Sequence, residues 1–215
     1  MVNPDEIVER FGADALRLYE MFMGPFEDAK PWSTASIIGV RRFLDRVYGL
    51  LEKADAKIKD AALTRELHRT VKKVGADIEG FKFNTAISQM MIFVNAAEKC
   101  EKINSDVLRN FVKLVYPFAP HLGEELWHKL GGKKTITFEP WPVYDEALTV
   151  ESEVEMVVQV NGKVRDRIVV PTGLAPDALE VRAIESLKVQ EWIKGKTVKK
   201  VIVAGGKLVN IVIES

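Results

Sequence analysis

The chain has 215 residues, 47% of them hydrophobic and 29% charged, with Lys+Arg and Asp+Glu equal at 31 each. That balance excludes a wholly basic nucleic-acid binder but leaves room for a local basic face. The single cysteine, Cys100, excludes an internal disulfide or a multi-cysteine metal site, and no apolar run reaches the length of a membrane span.

Taken in order, NPDEIVERFGADALRLYEMFMG reads as two short helices, with Asn3 capping the first and Gly12 breaking it. PFEDAKPWS then crosses to a longer helix on which Ile37, Val40, Leu44, Val47 and Leu51 form one apolar stripe. The same three-and-four spacing recurs in Leu67, Val71, Val74 and Ile78, and in Ile87, Met90, Met91 and Val94. It appears again in Leu108, Phe111, Val112 and Val115, a helix expected to start with Ser105 as cap and to stop before Pro117. A last helix starts near Pro120, carries Leu122, Leu126 and Leu130, and ends at Gly131-Gly132. Stripes this regular must face one another, so residues 33–131 are expected to be an antiparallel helix bundle, preceded by short helices over 1–32. TITFEPWPVYDEA, with prolines on both sides of Trp141, makes 132–152 an expected extended linker with Trp141 docked on a neighbour.

From residue 153 the period changes. EMVVQVNGKVRDRIVV carries two β-rich runs about Asn161-Gly162, PDALEVRAIESLKVQEWI is helical, and VKKVIVAGGKLVNIVI is a hairpin about Gly205-Gly206. The order β-β-α-β-β makes 153–215 a small α+β domain. A strict two-residue turn would set Val160, Val158 and Met156 opposite Lys163, Arg165 and Arg167. A shift by one, through a longer connection or a bulge, sets them opposite Val164, Asp166 and Ile168 and leaves a mostly apolar face. In that register Lys163, Arg165 and Arg167 form one basic row on the other side.

HLGEELWH, residues 121–128, has the residue types of a zinc hydrolase. Its histidines lie seven apart, which is roughly 10 Å along a helix axis. Zn–N bonds are about 2 Å, so the two cannot share an ion, and the stretch reads as helix surface. No Gly-x-Ser-x-Gly elbow, phosphate loop or dinucleotide fingerprint is present, so no catalytic or metal-binding residue is expected.

NPDEIVERFGADALR resembles the segment following the Lys-Met-Ser-Lys-Ser loop in class I aminoacyl-tRNA synthetases for leucine, isoleucine and valine. LYEMFMGPFEDAKPWS, RRFLDRVY, FNTAIS, FVNA and PFAPHLGEELW are similar to that family's anticodon-binding-type bundle. VVQVNGKVRDRIVVP and VKKVIVAGGKLVNIVI resemble the C-terminal domain of bacterial leucyl-tRNA synthetases. The resemblance implies a C-terminal part of such an enzyme, either a cut-out or half of a split enzyme, without the catalytic and editing domains. ATP and magnesium then belong to the parent enzyme, and this chain holds no cofactor and does not activate leucine alone. The implied partners are leucine tRNA, braced on its inner side by the bundle and touched at its elbow by the small domain, and the catalytic part of the enzyme. A cytoplasmic monomer with no membrane contact is expected. The RNA-binding candidates are Arg41, Arg42 and Arg46 on the bundle, and Lys163, Arg165, Arg167, Lys199, Lys200 and Lys207 in the small domain. The alternatives are a free-standing helical protein-interaction module and, more remotely, a metal hydrolase at His121–His128.

Overall fold

The computed structural model describes residues 3–25, 27–28, 31–150, 153–205 and 207–214. Phe26, Ala29 and Lys30 of the expected crossing segment, Glu151 and Ser152 of the expected linker, and Gly206 of the second hairpin lie outside the described residues. The chain divides into two compact units, residues 1–149 and 150–215.

In the first unit, α1 (Pro4–Phe11) is capped by the Asn3 side chain and separated from α2 (Ala13–Phe22) by Gly12, whose φ of 88° suits glycine. α3 (Thr34–Gly49) starts on Ser33, whose hydroxyl accepts from Ser36 N, and runs into a 3-10 turn over Leu50–Lys53. A two-stranded parallel ladder joins β1 (Ala54–Asp55) to β2 (Ile103–Asn104). Between them run α4 (Ala61–Glu79), capped by Asp60, and α5 (Phe83–Ala97). α6 (Ser105–Val115) is capped by Asn104 rather than Ser105, because the Asn104 amide oxygen reaches Asp106 N. α7 (Pro120–Lys129) begins on proline.

The expected stripes meet in one core. Ile37, Val40, Leu44, Val47, Leu67, Val71, Val74, Ile87, Met90, Val94, Leu108, Phe111, Val112 and Val115 are all buried in it, with Leu51, Ile78 and Met91 packed at its edge. Burying such a side chain contributes about 1.5–3 kcal/mol. Phe93 and Phe111 stack at 4.2 Å in its centre.

Residues 132–149 differ from the expected linker. They form a strap tied to the helices, with a 3-10 turn at Ile136–Phe138 and a short α8 (Glu146–Thr149) packed on α4. Asp145 N donates to His68 Nδ1, Lys72 pairs with Glu146, and Trp141 lies beside Gly75. His68, Lys72 and Gly75 follow one another at helical spacing along α4, so a single face of that helix holds the strap down.

The second unit is a four-stranded sheet, β3 (Glu153–Val160), β4 (Lys163–Pro171), β5 (Val198–Ala204) and β6 (Leu208–Ile213), in the order β4-β3-β6-β5. Its expected single helix is two, α9 (Pro176–Glu185) and α10 (Leu187–Ile193), broken at Ser186. Met156, Val158, Val160, Val170, Val209, Ile211 and Ile213 pack with Leu179, Ala183 and Val189 of these helices. The helices therefore cover one face of the sheet, and Val164, Val169 and Ile202 are exposed.

The first hairpin combines both registers considered from the sequence. Asn161 (φ 47°) and Gly162 (φ 78°) make the tight two-residue turn, so Val160 pairs with Lys163 and not with Val164. A bulge then shifts the register, and Val158 and Met156 face Asp166 and Ile168. The extra residue in the bulge is Arg165.

Candidate nucleic-acid interface

The structure sorts the expected cations by what already holds them. Arg41 donates from Nε to Asp45 Oδ1 at 3.0 Å and from Nη1 to Phe11 O at 3.1 Å, clamping the end of α1 onto α3. Arg46 forks onto both Glu98 oxygens at 2.8 and 2.6 Å and reaches Asn95 Oδ1 at 2.6 Å, tying α3 to the end of α5. This hydrogen-bonded charge pair raises the Arg46 pKa and lowers that of Glu98. Both arginines are structural ties. Arg42 is exposed and makes no polar contact with another described residue.

In the second unit the expected basic row is broken. In the bulge, Arg165 turns toward the helices and lies over the ring of Trp192 of α10, its Cζ 3.3 Å from the ring centroid. Its Nε is buried without a hydrogen-bond partner among the described residues. Leaving a donor unpaired costs about 1–3 kcal/mol, offset in part by the cation–π contact. Neighbouring Asp166 is taken by Ser186 and Lys188, and the Ser186 hydroxyl foremost holds its carboxyl below the ordinary value. Arg167, opposite Val157 on the uncovered face, pairs with Glu155 at 2.9 Å. Lys199 pairs with Glu214 at 2.8 Å. Lys163, Lys200 and Lys207 are exposed, with side chains free of polar partners among the described residues.

Topology then gathers some of these and separates others. The pairs Val160↔Lys163, Val160↔Ile211 and Val198↔Ile213 bring the ends of β3 and β6 and the starts of β4 and β5 to one edge of the unit. The Asn161 side chain bonds Ile213 N and O, and Gly162 N donates to Asn210 Oδ1, so the hairpin tip is stitched to β6. α10 runs out toward the same edge through Lys194-Gly195-Lys196-Thr197, and Glu214 N donates to Thr197 O. Lys163, Lys194, Lys196, Lys199 and Lys200 thus ring one end of the sheet, beside the Arg165–Trp192 stack. The edge strands β4 and β5 are three spacings apart, about 14 Å, the scale over which phosphates of one nucleic-acid backbone can be engaged together. Lys207 lies at the opposite turn, where its carbonyl accepts from Val157 N in mid-strand, and Arg167 is level with it.

Lys194 and Lys196 are absent from the candidates expected from the sequence because they lie in the loop between two recognisable elements. The signal is present as Lys-Gly-Lys two residues before a strand beginning Val-Lys-Lys.

The histidines of 121–128 have separate structural tasks. α7 has no side chain of its own at its N-cap, and Asp14 of α2 replaces it, accepting from His121 N (3.3 Å), Leu122 N (2.8 Å) and paired with His121 Nδ1 (2.8 Å). Glu124 accepts from Ile136 N and Thr135 Oγ1 to anchor the strap, and His128 lies 2.9 Å from Gly132 O. Trp127 donates to Lys134 O and covers Gly132. Among the described residues no three His, Cys, Asp or Glu side chains gather as a metal site. Among them, too, no helix is long and apolar enough to cross a membrane.

A family model described as the anticodon-binding domain of tRNA ligase matches residues 60–183, more than half of the chain. The chain belongs to this family. The anticodon-binding-domain chain is also similar over 100% of its length to a solved LeuRS, agnB2 of Agrobacterium radiobacter K84, in its ternary complex with tRNA and LeuAMS. The identity is 28% and the TM-score 0.75, and the chain spans 30% of the length of that LeuRS. The helix bundle followed by a small α+β unit is therefore a tRNA-ligase architecture.

Proposed function

We propose that the chain is the tRNA-handling region of a leucyl-tRNA synthetase, seating leucine tRNA for aminoacylation in the catalytic part of the enzyme. The observation that carries this reading is the likeness of the chain, over both units and in order, to a LeuRS complexed with tRNA. The cationic end of the sheet supports it, since tRNA is recognised through its shape and backbone by cations set against phosphates and ribose. Of the residues considered for this task, Arg42, Lys163, Lys200 and Lys207 are exposed and uncommitted among the described residues, and Lys194 and Lys196 join them. The contribution to catalysis is positional: a correctly seated tRNA delivers its acceptor end to a distant active site. In this reading ATP and magnesium belong to the catalytic part of the enzyme.

The test is a titration of the chain with leucine tRNA and with a non-cognate tRNA at several salt concentrations. Salt-dependent binding that favours leucine tRNA is expected. Equal affinity for both tRNAs would remove the leucine assignment, and no binding even at low salt would remove the tRNA assignment. Salt-insensitive capture of a protein instead would favour an interaction module.

A further inference from the structure

The Arg165–Trp192 stack has features that a solvated arginine on a small domain does not need. A bulge redirects Arg165 from the strand's alternation onto α10. The guanidinium lies against the indole with no acidic partner among the described residues, although Asp166 is its chain neighbour and is committed to Ser186 and Lys188. Its Nε is buried and unpaired among the described residues, and the contact that places the group is the one with the indole ring. Trp192 remains 43% exposed at the end of the unit ringed by Lys163, Lys194 and Lys196. A flat cation fixed on a half-exposed aromatic, among free lysines, is the surface on which an unpaired nucleobase stacks, because bases pack on both aromatic rings and guanidinium planes.

We infer that Arg165 and Trp192 form a stacking seat for an unpaired nucleobase of the RNA partner, with the surrounding lysines holding its phosphates. This rests on the tRNA reading above and adds to it a base contact at a named pair. The stack supplies affinity through π-surface, which is insensitive to salt, whereas the lysines supply the salt-dependent part.

The test uses the full chain and leucine tRNA, comparing wild type with Trp192→Leu, Trp192→Phe and Arg165→Lys, each titrated at several salt concentrations. Trp192→Leu keeps an apolar side chain but no aromatic plane, and affinity is expected to fall about 5- to 150-fold. Trp192→Phe is expected to stay within about threefold of wild type, since phenyl rings also stack. Arg165→Lys keeps the charge and loses the plane, and is expected to weaken binding without changing the slope of log affinity against log salt. Should Trp192→Leu unfold the unit, weakened binding by Arg165→Lys beside wild-type binding by Trp192→Phe supports the seat, and unweakened binding by Arg165→Lys overturns it. Wild-type affinity in both Trp192→Leu and Arg165→Lys, with wild type still bound in a salt-dependent way, overturns the stacking seat and leaves the tRNA reading standing. A wild-type chain that does not bind tRNA at low salt overturns both.

Discussion

Replacing Lys163, Lys196 and Lys200 together by alanine should flatten the salt dependence of tRNA binding by a calculable amount. All three side chains are exposed and make no polar contact with other described residues, so their loss should cost the fold little, within about 0.5 kcal/mol each. Each phosphate contact contributes about 0.7 to 0.9 to the slope of log affinity against log salt. Three contacts therefore account for about 2 to 3 in that slope. Between about 50 and 200 mM salt, wild type should lose about 20- to 40-fold more affinity than the triple variant. The assay is filter binding or fluorescence anisotropy with leucine tRNA across that range. Arg46→Ala is the control, since Arg46 is tied to Glu98 and Asn95. The Arg46 and Glu98 side chains are 37% and 41% exposed, so solvent screens the pair and its loss should cost about 1 kcal/mol of stability. Its salt slope should match wild type. An unchanged slope in the triple variant, or a flattened one in Arg46→Ala, would refute the division into free and committed cations.

Other outcomes follow from the scaffold. Asp14→Ala leaves the N–H groups of His121 and Leu122 at the start of α7 without their acceptor, and chemical denaturation should show a loss of about 1–3 kcal/mol. In Gly132→Ala the new Cβ would lie 2.2 Å from Trp127 Nε1, so the indole must move, at about 1–3 kcal/mol and with altered near-UV circular dichroism. Asp166 is held below its ordinary value of 3.8 mainly by the Ser186 hydroxyl, then by Arg167 N and Lys188, against the opposing effect of burial. A depressed carboxyl pKa stabilises the fold above the unfolded value and loses that contribution as pH falls through the folded one. Acid unfolding below about pH 4 should therefore be shallower in Asp166→Asn than in wild type. The Cys100 thiol is pushed up from 9.0 by burial, by its hydrogen bond to Asp60 and by that carboxylate's charge. Alkylation by iodoacetamide at pH 8 should be slow in the folded chain and accelerate in urea; equal rates would contradict this placement.

Helices and strands are legible where their cause is local. Ile37 to Val47 and Leu108 to Val115 announce their buried faces by spacing alone, and Asn161-Gly162 announces its turn through the positive φ both residues adopt. The bulge is legible as a need, because only a register shift puts Asp166 and Ile168 beside Val158 and Met156, but its position is not. Deferring it by two pairs lets the tight turn survive, and it sends Arg165 to the helix side. The strap over 132–149 reads as a linker in the sequence because its prolines signal extended chain. Its anchors, His68, Lys72 and Glu124, lie on helices and are brought to it only by folding.

The candidate site shows the same division. Arginines and lysines off an apolar stripe are visible in the sequence, but whether a cation is available depends on what folding brings beside it. Arg46 meets Glu98 from 52 residues away, and Arg41 meets Phe11 O from 30. Lys194 and Lys196 join Lys163 and Lys200 only because β3 and β6 run parallel and bring their ends to one edge. The sequence by itself determined the helix bundle and the α+β unit, because periodicity and turn chemistry act over a few residues, and its quoted segments carried the synthetase resemblance. Only the tertiary structure decided which charges are spent on the scaffold and which remain free, because a charge is neutralised by neighbours in space and not by neighbours in the chain.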